Sequence, residues 1–79
     1  MYDYNICTQA DDDVFKRQCV LLEKNIPGLV VVNDLRDVDD SNIKIYSLSG
    51  KTVTIYNDYF IDAVYVRSEV DLLPFFKQE

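Results

Sequence analysis

Histidine and tryptophan are both missing from this 79-residue chain, and basic residues are scarce. Without histidine there is no side chain whose ordinary pKa suits proton transfer near neutral pH. Zinc sites built from a Cys/His set are excluded by the same absence. The two cysteines, Cys7 and Cys19, are too few for a disulfide framework. Cys7 falls in an expected strand and Cys19 on the apolar face of an expected helix, so both read as small buried apolar residues. Neither has a histidine to activate it as a nucleophile. With two glycines and two prolines, the chain carries no linker, repeat or low-complexity segment. No apolar run approaches the ~20 residues of a membrane-spanning helix. The first residues, Met1-Tyr2-Asp3-Tyr4, are acidic and polar and lack the pattern of a signal peptide. The expectation is a reduced, cytoplasmic protein that is not an enzyme and holds neither metal nor cofactor.

What is abundant is aspartate and tyrosine. Fourteen acidic residues face eight basic ones, for a net charge of −6, and eleven of the acids are Asp. That balance opposes direct binding to nucleic acid or to an anionic membrane, since both require a basic patch. It favours a basic partner protein, such as a nucleic-acid-binding protein or a nuclease. Hydrophobic residues make up 48% of the chain and aromatics 13%, enough for a core. One small domain spanning residues 1–79 is expected. A domain of this size buries only ~60% of its unfolded surface, and a homodimer would be a natural supplement.

Residues 2–8 read as a first strand, with Tyr4 and Ile6 on one face. A helix is predicted from Gln9 to Asn25, opened by Thr8-Gln9-Ala10-Asp11 as a capping box with Asp in place of Glu. Asp11, Asp12 and Asp13 then lie in its first turns, where carboxylates offset the positive end of the helix dipole. Phe15, Cys19, Leu22 and Ile26 form its apolar stripe at i, i+4, i+7 and i+11, widened by Val14 and Leu21. Asn25 is placed to cap the helix in the left-handed conformation, before Pro27-Gly28 stops it. Leu29–Val32 is apolar on both faces and is expected as a central strand. An Asp-rich loop over 33–42 follows. Residues 43–48 and 51–57 form a hairpin around Ser49-Gly50. The alternation is read as one aliphatic face, Ile43, Ile45, Val53 and Ile55, and one face of Lys44, Tyr46, Thr52, Thr54 and Tyr56. A last strand over 59–67 leads into Ser68-Glu69-Val70-Asp71, a capping box for one helical turn that Pro74 cuts short. The predicted fold is therefore α+β. Its order is strand, helix and then four strands, a mostly antiparallel sheet of four to five strands with the main helix on one face.

Two motif fragments fail on inspection. Asp37-x-Asp39-x-Ser41 imitates a calcium loop, but Asn42 stands where that loop needs Gly and Leu48 where it needs Glu. Gly50-Lys51-Thr52 matches the end of a phosphate-binding loop, yet Ile45 replaces its first Gly and a strand follows where a helix is required. The remaining signals are surface chemistry. Asp34, Asp37, Asp39 and Asp40 are candidates for an acidic recognition loop. Tyr46 and Tyr56 are candidates for an exposed platform, since tyrosine supplies rigid, amphipathic contact area. The apolar tail Leu72-Leu73-Pro74-Phe75-Phe76 either packs on its own sheet or drives dimerisation or docking. Together these suggest a small acidic inhibitor module that docks on a basic site and mimics nucleic acid there. Its composition has the general character of phage-encoded antagonists and toxin-neutralising immunity proteins. The competing expectation is a homo-oligomeric structural domain without catalytic activity.

Overall fold

The computed structural model describes residues 1–36, 38 and 41–76, Phe76 in its backbone only. The elements follow as β1 (Tyr2–Cys7), α1 (Asp12–Asn25), β2 (Val30–Arg36), β3 (Asn42–Leu48), β4 (Lys51–Asp58), β5 (Ala63–Ser68) and α2 (Leu73–Phe76). The five strands form one antiparallel sheet in the order β1-β5-β4-β3-β2. The fold is α+β, with α1 laid over the middle of the sheet against β4. Among the described residues no helix is long and apolar enough to cross a membrane.

The stripe Phe15, Cys19, Leu22 and Ile26 is buried, and it meets Tyr46, Val53, Ile55, Val66 and Leu72 from the sheet and the C-terminal segment. Each large apolar side chain removed from water in this way contributes roughly 1.5–3 kcal/mol. Leu21 does not widen the stripe, being 43% exposed on the outer side of α1.

Both ends of α1 differ from the sequence expectation. The N-cap is Asp11, whose backbone is extended (φ −156°, ψ 118°) and whose carboxylate accepts from the amides of Asp13 and Val14 at 2.8 and 3.2 Å. The helix does not begin at Gln9, because the backbone at Asp11 is extended, and the amides of Ala10 and Asp11 donate to Asp62 and Asn57 at 2.8 and 3.0 Å. Tertiary hydrogen bonds hold that segment out of the helix. At the other end Asn25 does not adopt the left-handed conformation. Ile26 is extended, and Gly28, at φ 84°, makes the reversal.

β2 is an edge strand, not the central strand expected for Leu29–Val32, and it runs on through Arg36 into the expected loop. All seven of its residues are exposed. The reason is topological. β1 and β2 occupy opposite edges, so α1 crosses the whole sheet and delivers β2 beyond the strands it covers.

The β3–β4 hairpin turns on Ser49 and Gly50, at φ 51° and 82°. Two positive φ values define the tight turn whose twist matches the flanking strands. Glycine adopts this at no steric cost, and serine with some strain. β5 begins at Ala63 rather than Tyr59, because residues 59–62 turn on Asp58, whose carboxylate accepts from Phe60 and Ile61 at 2.9 and 3.3 Å.

The C-terminal segment packs on its own sheet, with Leu72 fully buried and Phe75 against the core. Pro74 lies within α2 rather than ending it, as a first helical turn needs no amide donor there. The Leu73 amide is capped by Asp71 at 3.0 Å. The Tyr4 hydroxyl ties this segment to β1, donating to Asp71 at 3.0 Å and accepting from the Leu72 amide at 2.7 Å.

Candidate protein-binding surface

Residues directly opposite one another in an antiparallel ladder share a face of the sheet. The register pairs Tyr46 with Val53, Lys44 with Ile55 and Ile43 with Tyr56. Tyr46 and Tyr56 therefore project from opposite faces, and the reading of one Lys/Tyr/Thr platform is overturned. A two-residue turn at 49 and 50 pairs even-numbered positions of β3 with odd-numbered positions of β4, which mixes the two alternating patterns.

Tyr46 belongs to the core, with 0% of its surface exposed. Its hydroxyl donates to Glu23 of α1 at 2.7 Å. Burial, then the adjacent Glu23, push the Tyr46 pKa far above its ordinary value. In return the tyrosine hydroxyl holds the Glu23 carboxylate below its usual range, with Lys44 at 3.3 Å assisting. Burial also raises the neighbouring Cys19 thiol, which keeps it protonated and unreactive.

The face away from α1 carries Ile43, Ile45 and Ser47 of β3, Thr52, Thr54 and Tyr56 of β4, and Tyr65 and Arg67 of β5. No described element packs over it. Tyr56 and Tyr65 stack with ring centroids 4.7 Å apart and planes inclined by 14°. Beside them is a concavity of about 300 Å³, lined by Ile43, Tyr56, Asp58, Phe60 and Tyr65 with Ser41, Asn42 and Asn57. Phe60 is 89% exposed and Ile61 56%. Burial, followed by the Asp58 charge, raises the Tyr65 pKa, which keeps its hydroxyl protonated.

This concavity opens at the end of the sheet where several carboxylates gather. Asn57, fully buried, donates to Asp12 at 2.9 Å and accepts from the Asp11 amide at 3.0 Å. The same Asp12 oxygen also accepts from Asn42 at 3.3 Å and from the Tyr59 hydroxyl at 3.0 Å. Asp11 caps α1, and Asp62 receives the Ala10 amide. Asp11 and Asp12 thus have structural work, as the dipole argument implies, but they leave Asp11, Asp12, Asp13, Asp58 and Asp62 together at one end. No protein family, curated protein or solved structure matches the chain. The reading of this surface rests on its chemistry alone.

The residues singled out in the sequence do not converge. Asp34 sits on edge strand β2, opposite Lys44 and toward α1, on the other side of the sheet from Tyr56. Tyr46 is core, and Tyr56 alone of the two tyrosines faces the uncovered side. Asp37, Asp39 and Asp40 lie outside the described residues. Tyr65, Phe60 and Asp58 were missed. Tyr65 follows from the alternation of β5, and Phe60-Ile61 is an apolar pair set between Asp58 and Asp62 in a turn, a signal in its own right.

Proposed function

We propose that this protein is a non-catalytic binding module that docks on a basic site of a partner protein, using the Tyr56/Tyr65/Phe60 concavity as its anchor. The observation that carries this reading is the combination in one concavity of aromatic walls and the Asp58 carboxylate, with Asp12 bound to Asn42 and Asn57 of its lining. A guanidinium or ammonium group gains from an aromatic face and from a carboxylate at once, by roughly 0.5–2 kcal/mol for the aromatic contact and more from charge-assisted hydrogen bonding. The net charge of −6 steers such a partner toward contact. Where the partner's basic site normally receives phosphate groups, occupation by this module would inhibit it. Such an antagonist acts in the compartment of its target, for which the cytoplasm is the proposed setting.

The test is capture from nuclease-treated lysate, followed by titration of the retained basic protein against Asp58→Asn and Phe60→Ala. Asp58→Asn keeps the oxygen that caps the Phe60 and Ile61 amides and removes only the charge. Each change is expected to weaken binding roughly tenfold with the circular dichroism spectrum unchanged, and association should slow as salt rises. Binding indifferent to both substitutions, or to salt, refutes the proposal.

A further inference from the structure

The turn between β4 and β5 presents apolar surface that the fold itself does not use. Phe60 is 89% exposed and Ile61 56%, and Phe60 is the most exposed aromatic residue among those described. Neither belongs to the core cluster. Apolar side chains scattered singly are ordinary on a protein surface. Two adjacent ones at the tip of a turn, in a domain with so small a core, are apolar area withheld from folding.

The turn is also held in place more firmly than a connection requires. From within, the Asp58 carboxylate accepts from the Phe60 and Ile61 amides at 2.9 and 3.3 Å. From outside, the Tyr59 amide donates to the Ser41 hydroxyl at 2.9 Å and the Tyr59 hydroxyl to Asp12 at 3.0 Å. Asp62 closes the turn in the left-handed conformation, at φ 58°, and accepts from the Ala10 amide at 2.8 Å. A non-glycine residue keeps that conformation only where its surroundings determine it. Phe60 and Ile61 are thus carried on a backbone fixed before any contact is made, which lowers the ordering cost of binding.

The charge around the tip indicates what it fits. Residues 10–13 and 57–62, joined by the bonds above, hold five aspartates and neither lysine nor arginine. An apolar tip set among carboxylates is repelled by an anionic surface and complements a hollow with cations around it. We propose that the 58–62 turn is a preformed knob that inserts Phe60 and Ile61 into an apolar pocket of the partner protein, rimmed by Lys or Arg side chains. This knob presupposes the docking described above and adds the shape of the receiving site. Phe60 borders the concavity that takes the partner's cation, whereas Ile61 does not line it, so knob and concavity can be altered separately. A buried aromatic anchor, ringed by polar contacts that exclude water, is the usual make-up of an interface hot spot.

Photocrosslinking tests the chemistry of the receiving site. Phe60 is replaced by p-benzoylphenylalanine and, as a control in a separate chain, so is Val20, which is 61% exposed on α1. Irradiation in native lysate should join position 60 to one protein, at aliphatic or aromatic residues flanked by Lys or Arg, with far less product from position 20. That protein, purified, should bind the Ile61→Ser variant about tenfold more weakly than the wild-type chain, with the circular dichroism spectrum unchanged. No product from position 60, equal product from position 20, a product with a second copy of the chain, or attachment to residues without apolar neighbours would overturn the proposal. So would retention of the wild-type chain on phosphatidylcholine vesicles that Ile61→Ser abolishes, since the tip would then enter lipid. If Ile61→Ser has no effect while Asp58→Asn weakens binding, the knob fails and the basic-site reading stands. The reverse result removes the cationic rim, and both fail.

Discussion

The Tyr46–Glu23 hydrogen bond is asymmetric, and that asymmetry sets an order of effects opposite to the order of exposure. Tyr46 is fully buried, whereas the Glu23 side chain is 41% exposed and sits near Lys44 at 3.3 Å. Tyr46→Phe removes a buried hydroxyl and leaves no orphan in the core. The carboxylate it abandons turns to water, so the loss should be about 1 kcal/mol, the net value of one hydrogen bond. Glu23→Ala instead leaves the tyrosine hydroxyl buried beside the weakly accepting Cys19 sulfur. That costs about 2 kcal/mol, plus a few tenths for the lost Lys44 pair. The exposed partner is therefore the more damaging one to remove. Urea melts at neutral pH would measure both, and for a domain this small each kcal/mol corresponds to roughly 4–8 °C in Tm. The sign of the pH dependence provides a second readout. The Glu23 pKa is lowered in the folded state, so its contribution is present above the unfolded carboxylate pKa and is lost as pH falls through the lower, folded one. Acid should narrow the gap between wild type and Tyr46→Phe. If Tyr46→Phe costs more than Glu23→Ala, or if the gap is constant from neutral pH into the acid range, the argument is wrong.

Asn57→Ala should be the most costly polar substitution. It removes the link from β4 to both Asp12 and the Asp11 amide, for a loss of roughly 3 kcal/mol, visible as a fall in Tm by thermal denaturation. Ser49→Asn should raise stability by about 0.5 kcal/mol, since Asn tolerates positive φ better than Ser beside Gly50, and chemical denaturation would detect it.

The helix stripe was legible in the sequence because its spacing is a local property that any packing partner must satisfy. The hairpin was legible because Ser49-Gly50 has few alternatives between two alternating runs. Its facing is also present in the sequence, through the length of the turn, because a two-residue loop sets even positions of β3 against odd positions of β4 whatever the similarity of their side chains. The placement of β2 was not legible. A run such as Val30-Val31-Val32 signals burial on both faces only if something covers both, and what covers a strand depends on the path of α1. The helix start was not legible for a related reason, as the segment before the extended Asp11 is held by Asn57 and Asp62, which are distant in sequence. Of the candidate surface, only Tyr56 was identified in advance. Tyr65 and Phe60 join it because β4 and β5 are neighbours and the 59–62 turn folds beside them.

The pairing of β1 with β5 has a consequence for how the chain matures. Tyr2 lies opposite Ser68, so β1 finds its partner strand only once β5 has been made. At ~5–20 residues per second of synthesis, Tyr4 and Ile6 spend several seconds without the strand they pack beside. Strands β2 to β5 are linked by short connections and meet in the order they are made. β1 is therefore the strand whose partner comes latest, and the Tyr4 hydroxyl, by gripping Leu72 and Asp71, fastens it to the segment that follows β5.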